Sequence, residues 1–396
     1  MLNFQIFIPT RIVFGPGKIA ELATTPNLPK GDKAMIVIGE SGAMISNGYL
    51  DKVQASLAKQ NISTIVFDNI SPNPKSDQID QAAKITREKE IDFIVALGGG
   101  STIDAAKAIA LLTTNVGKCW DYIQSGSGGG VRAENPAAPL IAIPTTSGTG
   151  TEADQWAVIN KSGANEKISL GNDSTFPAMS IIDPELMLTV PPRMTAYTGI
   201  DAFFHAVETF VSKEHQPVSD MLALEAVHLI SNYLPMAIAE GDNIEARTVM
   251  AWASTAAGMC ETLSRCISQH SLEHALSAKY PELPHGLGLA KLSIAYFKRL
   301  IPENPDRFED LAMAMGYDTQ SLDENMRATI FLEGLRHLLE RTGFNDESLK
   351  TYGAKEEDVP ELVQIAFETM GKLFECTPAN MTQEDLECIV SEAIAG

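Results

Sequence analysis

Asp201 and His205 stand four residues apart in GIDAFFHAVE, a run that is otherwise mostly apolar. On a helix they share one face, about one turn apart. An unpaired carboxylate in such a segment is costly to desolvate, so the pair needs a partner. A bound metal ion is one candidate, and a plain salt-bridged or hydrogen-bonded pair is the other. All 7 histidines lie in the second half of the chain, and His270, His274 and His285 fall together in QHSLEHALSAKYPELPHGLG. His270 and His274 can again share a helix face. The proline-containing turn before His285 can fold it back toward the same place. With the first pair this makes one carboxylate and up to four imidazoles. Nitrogen and oxygen ligands without thiolate suit catalytic Fe(II) or Zn(II) better than a closed structural zinc site. His215, His228 and His337 stand in ordinary amphipathic or loop contexts and read as surface or core residues.

A second kind of chemistry is suggested by glycine. GGGSTIDAAK (98–107) follows a buried strand and opens a helix. Amides at a helix N-terminus attract phosphate, and glycines let a pyrophosphate approach the backbone. The run is neither the GxGxxG fingerprint nor a Walker motif. A second loop of small residues, PTTSGTGTE (144–152), follows the next strand. Two such loops at the C-terminal ends of neighbouring parallel strands are where α/β sheets bind nucleotides.

The elements that must position these groups alternate through the first half. Apolar runs at 33–39, 62–68, 91–100, 138–146 and 178–184 read as strands, with helical patterns between them. The opening NFQIFIPTRIVFGPG reads as two short strands ending in a turn, and SGSGGG (125–130) as a flexible loop. After Asp183-Pro184 the apolar period is helical nearly throughout. The boundary is placed in ELMLTVPPRMT, giving domains 1–187 and 188–396. The first is an α/β nucleotide-binding domain with a mostly parallel sheet, and the second is all-α.

Bulk properties narrow the class. A chain of 396 residues is comfortable as two domains. A hydrophobic share of 44% with 20% charged residues is that of a globular protein. The formal net charge of −21 argues against nucleic acid or an anionic membrane as partner. The 5 cysteines lack CxxC spacing, which fits a reducing compartment. The N-terminus lacks the pattern of a signal peptide, and no run reaches about 18 uninterrupted apolar residues. The cytoplasm is the expected location.

Several motifs in one order identify the chain as similar to a known family. IPTRIVFGPG, SPNP (71–74), GGGSTIDAAK, IPTTSGTGTEAD, IIDPELMLTVPPRMTAYTGIDAFFHAVE and HSLEHALSAKYPELPHG carry the resemblance, which spans nearly the whole chain. It is to the iron-containing (group III) alcohol dehydrogenases of the dehydroquinate synthase-like superfamily. The resemblance implies a nucleotide-binding α/β domain, a helical metal-binding domain, and a metal held by Asp201, His205, His270 and His285. His274 is then no ligand but sits near nicotinamide and substrate, as a candidate catalytic proton relay or a packing residue. The cofactor residues it implies are Gly98, Gly99, Gly100, Ser101 and Asp104 near the pyrophosphate, and Thr145, Thr146 and Thr149 on the nicotinamide side. Asn73 and Lys167 are weaker carry-overs.

The family's implied activity is reversible hydride transfer between a primary alcohol and nicotinamide. The expected cofactors are Fe(II), with Zn(II) second, and NADP(H) or NAD(H). Many NAD-preferring members end the first long strand with an aspartate, whereas here Gly39 stands there, followed by Glu40 and Ser41. A 2′-phosphate would meet no carboxylate at Gly39 and could bond Ser41, so NADP(H) is expected to be accepted. Alternatives are a zinc-dependent glycerol-type polyol dehydrogenase, or a nucleotide- and metal-binding protein without turnover. Trp156, Phe204 and Cys376 are candidate walls of the substrate pocket. The expected partners are a small alcohol or aldehyde and further copies of the chain, as a homodimer or larger assembly.

Overall fold

In the computed structural model, which describes residues 3–396, the runs that read as buried strands form one parallel sheet. Its strands are β1 (Arg11–Phe14), β2 (Lys33–Gly39), β3 (Ser63–Ile70), β4 (Phe93–Gly98) and β5 (Leu140–Pro144). A separate antiparallel hairpin of β6 (Ala157–Asn160) and β7 (Lys167–Leu170) precedes β8 (Met179–Ile182), which rejoins the sheet. The strand order is β1-β8-β5-β4-β2-β3. Met35, Ile36 and Val37 on β2 and Ile94, Val95 and Ala96 on β4 are all fully buried. Strands covered on both faces have no solvent side, so their sequences run apolar without alternation.

The chain leaves β2 for β3 at the sheet edge, then crosses back over β2 to β4 and continues to β5. The direction of winding therefore reverses between β2 and β4, whose last residues are Gly39 and Gly98. Open α/β sheets receive ligands at such a reversal. The helices of this unit include α1 (Tyr49–Lys59), α2 (Ser76–Glu88) and α3 (Gly100–Thr114). Helix α3 is buried from Thr102 to Leu112, as its run AAKAIALL requires.

Three local expectations are corrected. Only one of the two opening strands forms: residues 3–10 make no strand, and Phe4 and Ile6 are exposed. Their alternating pattern has no ladder to join, because β8 pairs only with Arg11–Phe14 on that edge, and Pro9 lacks a donor. The β6–β7 hairpin was not read from sequence, since four-residue strands are too short to show a period. The SGSGGG patch is pinned rather than loose: the amides of Gly128, Gly129 and Gly130 donate to Ser125, Trp120 and Ile123.

The chain divides into two compact units, Ile8–Val190 and Pro191–Gly396, the residues up to Phe7 being counted with the second. Among the described residues of Pro191–Gly396 there are helices and no strand. The first five long ones are α4 (Pro192–Val211), α5 (Pro217–Ala239), α6 (Ile244–Leu263), α7 (Ser268–Lys279) and α8 (His285–Leu300). From Gly199 to Val211 every residue of α4 is buried, polar ones included. Helix α5 is long and apolar enough to cross a membrane by length and composition, yet Ala223, Ala226, Val227, Ile230, Leu234 and Ala237 pack in the core of this unit. Phe204, Phe297, Phe308 and Phe331 form an aromatic chain through that core.

Candidate metal centre and nucleotide loops

Helix α4 carries Asp201, His205 and Glu208 at i, i+4 and i+7, one above another on a single face. Helix α7 contributes His270, Glu273 and His274, and His285 is the first residue of α8, after Pro284. Helix α8 can start there because two glycines make room. A methyl group on Gly286 would lie 2.1 Å from the Tyr197 carbonyl oxygen on α4, and one on Gly288 would lie 2.9 Å from Glu273 Cγ. HGLG is thus a docking sequence as well as a ligand sequence.

The Nε2 atoms of His205, His270 and His285 lie 3.5, 3.7 and 3.4 Å from Asp201 Oδ1. These separations exceed those of normal N–H···O bonds. Asp201 Oδ1 and His270 Nε2 are buried without a hydrogen bond. Ligand atoms set tetrahedrally at about 2.1 Å around one ion would be about 3.4 Å apart. The ligand atoms of Asp201, His270 and His285 lie within 4.8 Å of one another, and His205 reaches the same Asp201 oxygen, so the donors, imidazole nitrogens and one carboxylate, fit a divalent iron or zinc. Burial by itself would raise the Asp201 pKa, but the charges of His205 and His285 hold it well below the usual carboxylate range. Burial would lower His270, yet Glu208 beside it carries its pKa well above the ordinary value.

The outer nitrogen of each ring faces a glutamate. His205 Nδ1 lies 3.1 Å from Glu261 Oε1, His270 Nδ1 lies 2.6 Å from Glu208 Oε1, and His285 Nδ1 abuts Glu273 Oε2. The sequence reading did not pick out these three glutamates. The i, i+4, i+7 spacing of Asp201, His205 and Glu208 was a signal for one of them; Glu261 and Glu273 come together only through packing.

His274 is buried beside the centre, its ring 5.5 Å from that of His285 and 6.3 Å from that of His270. A further group, Cys266, is buried where its sulfur and atoms of His205 and His270 lie within 4.8 Å of one another. Burial pushes that thiol well above its ordinary pKa. His215, His228 and His337 stand apart, bonded to Asp220, the Ala314 carbonyl and Tyr317. Phe204, expected as a pocket wall, is a core residue stacked on Phe297, and Cys376 belongs to the same core. An α4 buried on every face leaves Phe204 no open side. Trp156 is half-buried, and its carbonyl accepts from Lys107.

In the α/β unit the two loops of small residues nest together. A methyl group on Gly100 would lie 2.4 Å from Thr149 Cγ2, and one on Gly98 would lie 2.5 Å from Thr102 Oγ1. The Thr145 amide donates to the Gly98 carbonyl at 2.9 Å, and Thr146 lies against Gly99. The Ser101 hydroxyl accepts from the Asn73 amide at 3.3 Å. Asn73 has φ of 55°, the left-handed region that asparagine tolerates. The structure thus gathers Gly98, Gly99, Gly100, Ser101, Asn73, Thr145, Thr146 and Thr149 at the start of α3. Gly39 ends β2 with Thr102 nearby, and Glu40 and Ser41 follow it, both exposed.

Two further expected cofactor residues have partners within the protein or a buried place on the hairpin. Asp104 accepts from the Thr151 hydroxyl at 2.7 Å and the Val158 amide at 3.0 Å, so both its oxygens are engaged within the protein. Lys107 completes this buried tether, donating to Thr151, Asp154 and the Trp156 carbonyl. Burial raises the Asp104 pKa to about 6 against the opposing charge of Lys107. Lys167 opens β7 opposite Asn160, is buried, and sits on the hairpin whose Asn160 amide bonds the Pro74 carbonyl.

Comparison with known proteins identifies the family. Residues 9–184 match the model of the iron-containing alcohol dehydrogenases, and residues 195–394 match the C-terminal model of the Fe-containing alcohol dehydrogenase family. The chain is 33% identical over 363 residues to a 1,3-propanediol dehydrogenase of Citrobacter freundii, covering 92% of each. It is 32% identical over 398 residues to an NAD-dependent methanol dehydrogenase of Bacillus methanolicus, covering 100% of each. An archaeal halo-thermophilic alcohol dehydrogenase from a Red Sea brine pool has a matching crystal structure, with TM-score 0.94, 32% identity and 99% of each chain covered. Matches over nearly the whole chain make this a metal-dependent, NAD(P)-linked alcohol dehydrogenase. The chain belongs to the iron-containing alcohol dehydrogenase family.

Proposed function

We propose that this enzyme interconverts small primary alcohols and their aldehydes with Fe(II) as its resident ion, and that it accepts NADP(H) as well as NAD(H). The convergence of three Nε2 atoms on Asp201 Oδ1 carries the reading. Asp201, His205, His270 and His285 would hold the ion. A divalent ion there supplies Lewis acidity that lowers the pKa of a substrate hydroxyl. Zinc binds such donors at least as tightly, so supply decides which ion is resident.

The chain's own residues do the rest. The amides from Gly99 to Ser101 at the start of α3 bind the pyrophosphate, and the threonines 145, 146 and 149 hold the nicotinamide side. Asn73 and Ser101 set one wall of that site, and Lys167 adds a cation on the hairpin. Asp104 acts by tethering the 151–158 segment to α3. His274 takes and returns the hydroxyl proton at a ring nitrogen, since a neutral imidazole titrates in the useful range. H274A is expected to lower kcat and remove the acid limb of the pH profile of alcohol oxidation; an unchanged kcat and profile would leave His274 a packing residue.

The absence of a carboxylate at Gly39, with exposed Ser41 two residues on, supports NADP(H). A KM for NADPH well above that for NADH would remove this part of the reading. Reduced-nicotinamide absorbance decides the whole: protein reconstituted anaerobically with Fe(II) or Zn(II) should consume NADPH or NADH with short aldehydes only when metal is present. Metal-independent consumption, or none in protein that binds both ligands, would overturn it. The five cysteines, all free thiols, support a reducing, cytoplasmic setting. Assembly as a homodimer or larger is tested by light scattering, a monomer mass at working concentration being the contrary result.

A further inference from the structure

Three glutamates, two of them buried and one half-buried, surround the cage, and neither holding an ion nor relaying a proton explains them. The side chains of Glu208 and Glu273 are fully buried, and that of Glu261 is 17% exposed. Each faces the outer nitrogen of a different histidine, although they come from three helices, α4, α6 and α7. Two of them are themselves fixed. Glu208 Oε2 accepts from the Ile267 amide at 2.9 Å, and Glu273 Oε1 accepts from the Ser277 hydroxyl. Glu273 also lies under α8, in space that a side chain at residue 288 would fill.

Burying Glu208 and Glu273 beside Asp201, with Glu261 half-buried next to them, is unfavourable unless something positive gathers them. Protonated imidazoles supply that charge in the metal-free chain, but imidazoles that ligate an ion are neutral and do not. A divalent cation at the point where the Nε2 atoms converge does. A carboxylate at Nδ1 also keeps the ring proton on that nitrogen, which leaves the Nε2 lone pair facing inward.

We infer that Glu208, Glu261 and Glu273 are positioning residues of the metal centre: each fixes the tautomer and aim of one ligand histidine, and together they set the affinity for a divalent cation. This rests on reading the centre as metal-binding. Glu208 and Glu273, buried and doubly bonded, carry more of the effect than Glu261. The tautomer each holds is the same, so the three act in parallel rather than in a chain.

The test is anaerobic Co(II) titration of the full-length protein, followed by the visible absorption of the bound ion and by competition with a chelator. Glutamine keeps the shape and removes the charge. E208Q and E273Q should each weaken Co(II) binding by about 10- to 100-fold and E261Q by less, with alanine variants worse than glutamine ones. E225Q, on the surface of α5, is the control and should bind as wild type does. The rise in Tm on adding Co(II), measured against each variant's own apo form, separates affinity from fold stability. If E208Q does not fold, E261Q and E273Q still decide. Wild-type protein that binds no Co(II) would overturn the metal-centre reading and this inference with it. Wild-type binding matched within two-fold by E261Q and E273Q, with an unchanged Co(II) spectrum, would overturn this inference alone.

Discussion

The two sites of this chain are built on opposite principles. The loops proposed to bind nucleotide are shaped by side chains that are missing: Gly98 and Gly100 have no room for a β-carbon because Thr102 and Thr149 occupy it. The metal centre works through charges that are present and buried, with Asp201, Glu208 and Glu273 each 4% exposed or less. A site of the first kind tolerates changes of charge and fails on any gain of volume. A site of the second kind tolerates modest changes of volume and fails on any loss of charge.

The sharpest way to break that contrast is at the cage. D201A removes the one oxygen on which the three Nε2 atoms converge. The expected result is loss of bound metal by elemental analysis and no measurable turnover in the same sample. Retained metal would mean that the cage closes without its carboxylate. At the other site, G100A adds one methyl group 2.4 Å from Thr149 Cγ2. Displacing the loop by such a distance should lower kcat/KM for the nicotinamide cofactor by about 10- to 100-fold while metal content stays at the wild-type level. A parallel loss of metal would show that the two sites are not independent.

A smaller effect separates tether from ligand at Asp104. Its pKa of about 6 in the folded chain, above the ordinary carboxylate range, means the folded state binds a proton that the unfolded chain releases. Its contribution to stability is therefore greatest below about pH 4 and declines as pH rises through 6. The Tm of wild type relative to D104N should fall by a few degrees between those limits and then level off. Parallel Tm profiles would show that Asp104 does not hold that proton. The smallest effect is expected at the exposed Glu40. E40Q removes a surface charge near the proposed 2′-phosphate position and should lower KM for NADPH about two- to five-fold, leaving NADH unchanged, as a screened charge would.

The contrast also explains what the sequence disclosed. GGGST after a buried strand and the run PTTSGTGTE are contiguous, so both loops were legible from local order, including their place at the ends of β4 and β5. Asp201, His205, His270 and His285 were legible as ligand types, and their assignment came with the family pattern. Glu261 and Glu273 were not legible, because a buried glutamate looks like a surface one until α6, α7 and α8 are packed. Asp104 came as a cofactor residue with the family pattern, and only the fold shows that Thr151 and Val158 engage both its oxygens.

The central claim is that three imidazoles and one carboxylate converge on a single divalent ion, and metal-edge X-ray absorption of the Fe(II)-loaded enzyme tests it most directly. The account predicts only nitrogen and oxygen neighbours at about 2.0–2.2 Å, with the outer-shell scattering of imidazole rings. A sulfur neighbour at about 2.3 Å would contradict it and move the ion to Cys266, which shares this pocket with His205 and His270.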